Sequence, residues 1–261
     1  MRVAVAGGTG TVGRHVVAAA RERGHEVVVL TRSNGVDLIG GTGVRAALEG
    51  VDAVIDTSNT NTMSAGGATA FFRFVTKTLL DAEQAAGVGH HVVLSIVGVD
   101  RGSYGYYAGK VAQEHAVEVG AVPFTIMRAS QFHEFAGQML RAFSVAGVHL
   151  APRFPSQPVA AREVGERLVT LAERGASGRS ADFAGPQRED IGDMVLRLAR
   201  ARGLRGPVVP VTMPGPQFAA MRRGETLPGP DAVLGTQTFE AWLRTSDAAA
   251  SDAASDAAAR S

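Results

Sequence analysis

Cysteine is absent from the 261-residue chain, and with it disulfides, thiolate nucleophiles and cysteine-held metals. An excess of either charge is absent too: 26 basic residues stand against 25 acidic ones, a net charge of +1. Such balance gives no overall field to attract nucleic acid or an anionic membrane, so neither is expected as a partner. No apolar run approaches the ~18 residues that a membrane-crossing helix needs. Strand-like residues begin at position 2, leaving no room for a charged region and a cleavable apolar segment, and a cytoplasmic protein is expected. Aromatic hydroxyls and ammonium groups are scarce: there are three tyrosines and two lysines, Lys77 and Lys110, arginine serving elsewhere.

What the chain does have is rhythm. Short apolar runs at 3–6, 26–30, 53–56, 91–96, 124–127, 181–183 and 208–211 alternate with helical spacing at 11–23, 43–48, 68–86, 106–118, 161–173 and 187–200. That alternation predicts an α/β fold, a Rossmann-like doubly wound parallel sheet, with five strands before residue 130. After about 135 the rhythm is broken by Pro152, Pro155, Pro158, Pro186, Pro207, Pro210, Pro214 and Pro216. We therefore expect a dinucleotide-binding core over 1–135 and a small substrate-covering lobe over 136–245 that completes the same domain. The alanine-, serine- and aspartate-rich stretch 246–261 has no large side chain to bury and predicts a frayed tail.

Between the first strand and first helix lies Gly7-Gly8-Thr9-Gly10-Thr11-Val12-Gly13. Glycines at this spacing allow the tight turn, the approach of backbone to a pyrophosphate and close helix–sheet packing. The helix N-terminus then faces the phosphates. A site selective for NAD would carry an acid after the second strand; this chain has Thr31-Arg32-Ser33. A guanidinium flanked by hydroxyls suits a 2′-phosphate, so NADP(H) is the expected cofactor. Asp37 and Leu38 follow as an expected adenine-edge contact. Asp56, Thr57, Ser58 and Asn59 lie at the sheet's carboxyl edge after the third strand, where backbone and hydroxyl groups would touch the cofactor ribose, or Ser58 or Asn59 would cap the next helix.

One of the two lysines stands four residues after a tyrosine, in Tyr106-x-x-x-Lys110. In so arginine-rich a chain, that spacing suggests a site needing a compact ammonium. The glycine turn, Thr31-Arg32-Ser33, the run from Val92 to Gly98, Tyr106-x-x-x-Lys110 and the run from Phe124 to Phe132 together resemble the atypical short-chain dehydrogenase/reductases, in their NmrA-like NAD(P)H-binding branch. The resemblance is strong over the first half and looser beyond it. It implies an oxidoreductase that reduces a ketone or quinone on a small apolar or aromatic substrate; either a monomer or a homodimer is expected. It implies Tyr106 as general acid, and Lys110 as the charge that lowers the tyrosine's pKa and binds the cofactor's ribose. It also implies a strand-end serine for the oxyanion, for which Ser95 is the candidate. The family pattern often has a second serine where this chain has Ile96; if that second hydroxyl is the working one, Ser95 must reorient, Ser103 must substitute, or catalysis is impaired. Gln131 and Phe132 would border the substrate. His90 and His91 lack a third ligand at metal-binding spacing, and no metal is expected. The branch also contains non-catalytic redox sensors, so a regulator that binds NADP(H) without turnover is the competing reading.

Overall fold

The computed structural model describes residues 1–101, 104–145 and 147–250. The first half contains β1 (Arg2–Ala6), α1 (Gly13–Glu22), β2 (Glu26–Leu30), α2 (Val44–Ala47), β3 (Ala53–Asp56), α3 (Ala65–Ala86), β4 (His90–Ile96), α4 (Tyr106–Glu118) and β5 (Phe124–Ala129). The second half contains α5 (Phe135–Ala142), β6 (Ser144–Val145), β7 (Val148–Pro152), β8 (Pro155–Ser156), α6 (Ala161–Arg174), β9 (Gly178–Arg179), β10 (Phe183–Ala184), β11 (Glu189–Asp190) and α7 (Ile191–Ala201). The chain continues through β12 (Val208–Val211), α8 (Pro216–Arg222), β13 (Val233–Leu234), α9 (Phe239–Trp242) and α10 (Ser246–Ala250).

Among the described residues, the main sheet runs β13-β10-β5-β4-β3-β1-β2, with β9 also on β5. Its pairings are parallel. This is the Rossmann-like fold expected from the sequence, and alternation within each strand explains it. Val3 and Val5 of β1 face a core built with Val16 and Ala20 of α1 and Val164 and Leu168 of α6. Ala4 and Ala6 face the opposite core with Val75 and Leu79 of α3. A sheet buried on both faces has no polar side to show, so its strands read as continuous apolar runs. The chain goes outward from β1 to β2 and returns to β3 on the other side of β1, creating a crevice at the carboxyl ends of β1 and β3.

The residues after 135 divide between two places. Helix α6 packs along α1, and β9, β10 and β13 extend the sheet. The rest forms the smaller body: β12-β7-β6, the β11-β8 pair and a core of Leu140, Phe154, Ile191, Met194, Leu198, Phe239 and Trp242. Tyr107 lies in this second core, and Tyr106 and Val111 pack against it. One face of α4 is therefore where sheet and lobe meet.

Boundaries differ where side chains cap. Helix α3 starts earlier than the apolar pattern suggests because Ser64 accepts from Gly67 N at 3.4 Å. The helix expected from 187 begins at Ile191, because Asp190 caps it through Gly192 N and Asp193 N and residues 189–190 pair as a strand. The expected tail begins as α10, with Ala248 buried; 251–261 lie outside the described residues. No helix among the described residues is long and apolar enough to cross a membrane.

Candidate functional site

The crevice starts at Gly7, which takes φ +70° so that β1 can turn at once. A Cβ there would stand 2.6 Å from Thr57 O, and one at Gly13 would stand 2.0 Å from Gly7 O. Only glycine fits either place. Helix α1 begins with no side-chain cap and no acid in its first turn, the condition in which its backbone N–H groups and dipole favour an anion. Thr9 is exposed and Gly10 and Thr11 are half-buried, whereas the Val12 side chain belongs to the core, so Val12 has only its backbone to offer. These residues fit a dinucleotide pyrophosphate.

Beside this turn, β2 ends into a 3₁₀ turn over Arg32–Asn34. Thr31 Oγ1 and Ser33 Oγ lie 2.9 Å apart, and Arg32 is exposed. The structure thus brings Thr31, Arg32 and Ser33 together at the carboxyl edge. Asp37 is drawn into its own turn, its carboxylate accepting from Ile39 N at 3.0 Å, and Leu38 packs against the core between sheet and α3.

After β3, Thr57 donates both its N–H and its hydroxyl to Ala6 O, at 3.0 and 2.8 Å. This ties the ends of β1 and β3 together and occupies the hydroxyl. Ser58 Oγ is buried without a partner among the described residues, and Ser58 N donates to Asp56 Oδ1. Asn59 Oδ1 accepts from Thr60 N at 2.8 Å and from the Tyr106 hydroxyl at 2.6 Å. Neither Ser58 nor Asn59 caps α3.

Tyr106 opens α4, and its ring meets Phe72 edge-on. Burial, with the neighbouring Tyr107 and Asp56, pushes its pKa above the ordinary tyrosine value. The expectation that Lys110 lowers it is corrected here. The buried Lys110 ammonium turns to β4 and along its own helix, donating to Leu94 O at 2.6 Å and to Gln113 Oε1, with the Phe72 ring centroid 4.6 Å away. Burial brings the lysine down to about 8, opposed by Asp56 and Glu114. The phenol is consequently a neutral proton donor, and the lysine is the group poised near neutrality.

Ser95 is buried and its Oγ has no partner among the described residues. Strand alternation places it with His91 and Val93 on the α3 and α4 side, while Ile96 takes the opposite parity and packs with the lobe core. Ser103 lies outside the described residues. Gln131 Nε2 donates to the Tyr107 hydroxyl at 3.2 Å, and its Oε1 accepts from Ser156 Oγ at 3.0 Å. Phe132 bridges to Val159 and packs against the α1–α6 core. Gln131 and Phe132 therefore flank the seam between sheet and lobe. His90 bonds Thr125 Oγ1 and His91 bonds the Glu83 carboxylate, both within the core.

The sequence reading missed Phe72, Gln113 and Ser156. Gln113 stands three residues after Lys110, on the same helix face, and that spacing was the available signal. Open cavities of about 600 and 390 Å³ lie on the outer surface of α3 and α4, and neither is lined by Tyr106, Lys110 or the glycine turn.

A family model described as NAD(P)H-binding matches residues 7–173. Among curated proteins, the photosystem II assembly factor Ycf39 of Synechocystis sp. is 44% identical over 72 residues, a stretch covering 22% of this chain and 22% of that protein. Among solved structures, a short-chain dehydrogenase/reductase superfamily protein of Agrobacterium tumefaciens with bound NAD matches with a TM-score of 0.66 at 20% identity, covering 100% of both chains. A dTDP-4-dehydrorhamnose reductase of Clostridium acetobutylicum gives a TM-score of 0.72 at 14% identity, covering 95% of this chain and 99% of that one. At these identities the structural likeness is one of fold. The findings agree with the resemblance carried by the sequence motifs.

Proposed function

The chain belongs to the NAD(P)H-binding family, and from that premise we propose that it is an NADPH-dependent oxidoreductase reducing the ketone or quinone carbonyl of a small apolar or aromatic molecule. The observation that carries this reading is the Tyr106 phenol at the start of α4, kept neutral and bonded at the sheet's carboxyl edge to Asn59 on the loop that follows β3. A bound reduced nicotinamide dinucleotide supplies the hydride. The turn from Gly7 to Gly13 and the start of α1 hold the pyrophosphate, and Arg32 with Thr31 and Ser33 holds a 2′-phosphate. Lys110 uses two of its three ammonium hydrogens on protein acceptors among the described residues, which leaves one for a cofactor hydroxyl. Tyr106 gives its proton to the carbonyl oxygen, exchanging Asn59 for the substrate as acceptor. Ser95 Oγ, unpartnered among the described residues, would serve as a further donor to that oxygen. Gln131 and Phe132 border the substrate, and the partner is that small molecule, bound by a monomer or homodimer.

The test is a nicotinamide-consumption screen against quinones, aromatic ketones and polyketide-like compounds. Turnover with NADPH on at least one class is expected. A second reading is a regulator that binds NADP(H) without turnover. It is favoured by the match to an assembly factor and by a lysine whose ammonium is bonded to Leu94 O and Gln113 Oε1. Tight NADPH binding with no turnover across the panel would select it.

A further inference from the structure

Asp56 is fully buried at the end of β3, and its two carboxylate oxygens have separate partners. Oδ1 accepts from Ser58 N at 2.8 Å, and Oδ2 accepts from Gln113 Nε2, also at 2.8 Å. The other end of the same amide, Gln113 Oε1, accepts from the Lys110 ammonium. Gln113 is itself fully buried. The orientation of its amide is chemically fixed, because a carboxylate can only accept and an ammonium can only donate.

We propose that Gln113 is a positioning residue: its amide relays the Asp56 carboxylate to the Lys110 ammonium and holds that ammonium against the Leu94 carbonyl. The inference deepens the reductase reading, since it concerns the lysine to which that reading gives the cofactor's ribose, and it rests on that reading for its role in turnover. The relay has a physical reason. An ammonium taken out of water needs compensation, and the groups facing Lys110 supply it from each packed element: the Phe72 ring from α3, the Leu94 carbonyl from β4, Asp56 from β3 and Glu114 from α4. Glu114 is committed elsewhere, to Arg128 in a two-pronged pair at 2.9 and 2.7 Å and to Arg179 at 3.1 Å. Among the described residues no cationic side chain is bonded to Asp56, so its charge is available to the lysine, and Gln113 is the atom path between them. A polarised amide is a better acceptor than an isolated one. Glutamine's place here is not filled by any other uncharged side chain of its volume, because methionine or leucine would leave a carboxylate and an ammonium both short of a partner.

The scarcity of lysine makes the test direct. Protein grown with lysine labelled with ¹³C at Cε and ¹⁵N at Nζ reports only Lys77 and Lys110, and Lys77, exposed beside Asp81, serves as the internal reference. In the wild type, the Lys110 resonance should titrate near 8. Gln113→Met conserves volume and removes the acceptor, and should lower the Lys110 midpoint by about one pH unit or more, the scale of a hydrogen bond to a charged group. Asp56→Asn should lower it in the wild-type background and have much less effect in Gln113→Met. An unmoved midpoint in Gln113→Met, or an equal effect of Asp56→Asn in both backgrounds, overturns the relay. If Gln113→Met does not fold, Gln113→Glu decides: a raised midpoint is expected, and an unchanged one overturns the inference. Turnover does not enter this readout, so a protein inert in the carbonyl screen can still show the relay, and a failed relay leaves Tyr106 to be judged by its own substitution.

Discussion

Tyr106 donates its phenolic hydrogen to Asn59 Oδ1 across 2.6 Å, joining the first residue of α4 to the loop that leaves β3. In the proposed reaction this phenol is the acid, and delivery of its proton to a substrate requires the neutral Asn59 acceptor to be exchanged. Asn59→Ala should leave dinucleotide affinity within a few fold and lower kcat by about tenfold, the scale of one neutral hydrogen bond that positions a reacting group. Asn59→Asp places a negative charge on the phenol's acceptor and opposes loss of the proton. It should slow reduction further than alanine does, and a pH series of kcat for both variants checks this.

Substitution at Gly13 acts on the cradle itself. A methyl group 2.0 Å from Gly7 O cannot be accommodated without moving the turn. Gly13→Ala should abolish dinucleotide binding measured by calorimetry and destabilise the fold by about 1–3 kcal/mol, the usual cost of overpacking.

Cofactor choice rests on Arg32. If its guanidinium pairs with a 2′-phosphate, Arg32→Ala should weaken NADPH by tenfold or more, about the loss of one charge-assisted hydrogen bond, and leave NADH nearly unchanged. Paired Kd values for both cofactors test it; an unchanged preference removes the NADP assignment.

Much of this was legible in the sequence because it is local. The glycine turn lies within one strand-turn-helix unit, and apolar alternation alone places β1 to β5. Tyr106 and Lys110 stand out because lysine and tyrosine are rare in this chain. What was not legible depends on residues distant in sequence. Asn59 meets a phenol 47 positions away, and Lys110 finds its acceptors in Leu94 and Gln113 rather than beside Tyr106. The expected depression of the phenol failed for that reason: spacing puts two side chains on one helix face, and tertiary partners decide where each points. Likewise α6 and β10 read as parts of a lobe, because proline breaks preceded them, and packing returns them to the main sheet.

Glu134 gives a pH prediction outside the proposed chemistry. Burial pushes its carboxyl up to about 7, although Arg14 and backbone donors oppose the shift, and Oε2 has no partner among the described residues. The folded state therefore holds a proton that the unfolded state releases near the ordinary glutamate value. Below that value the group costs nothing; as pH rises from there through about 7, stability is lost. Glu134→Gln should stabilise the protein by about 2 kcal/mol at about pH 8 and have little effect near pH 4. Denaturant melts at both pH values read the difference.

The central claim is that Tyr106 gives the proton to a carbonyl reduced by hydride, and Tyr106→Phe tests it most directly. With a substrate found in the screen, single-turnover oxidation of bound NADPH should slow by about 10²–10⁴-fold, the contribution of a positioned general acid, while the NADPH Kd stays within a few fold. Undiminished hydride transfer in Tyr106→Phe would contradict the account.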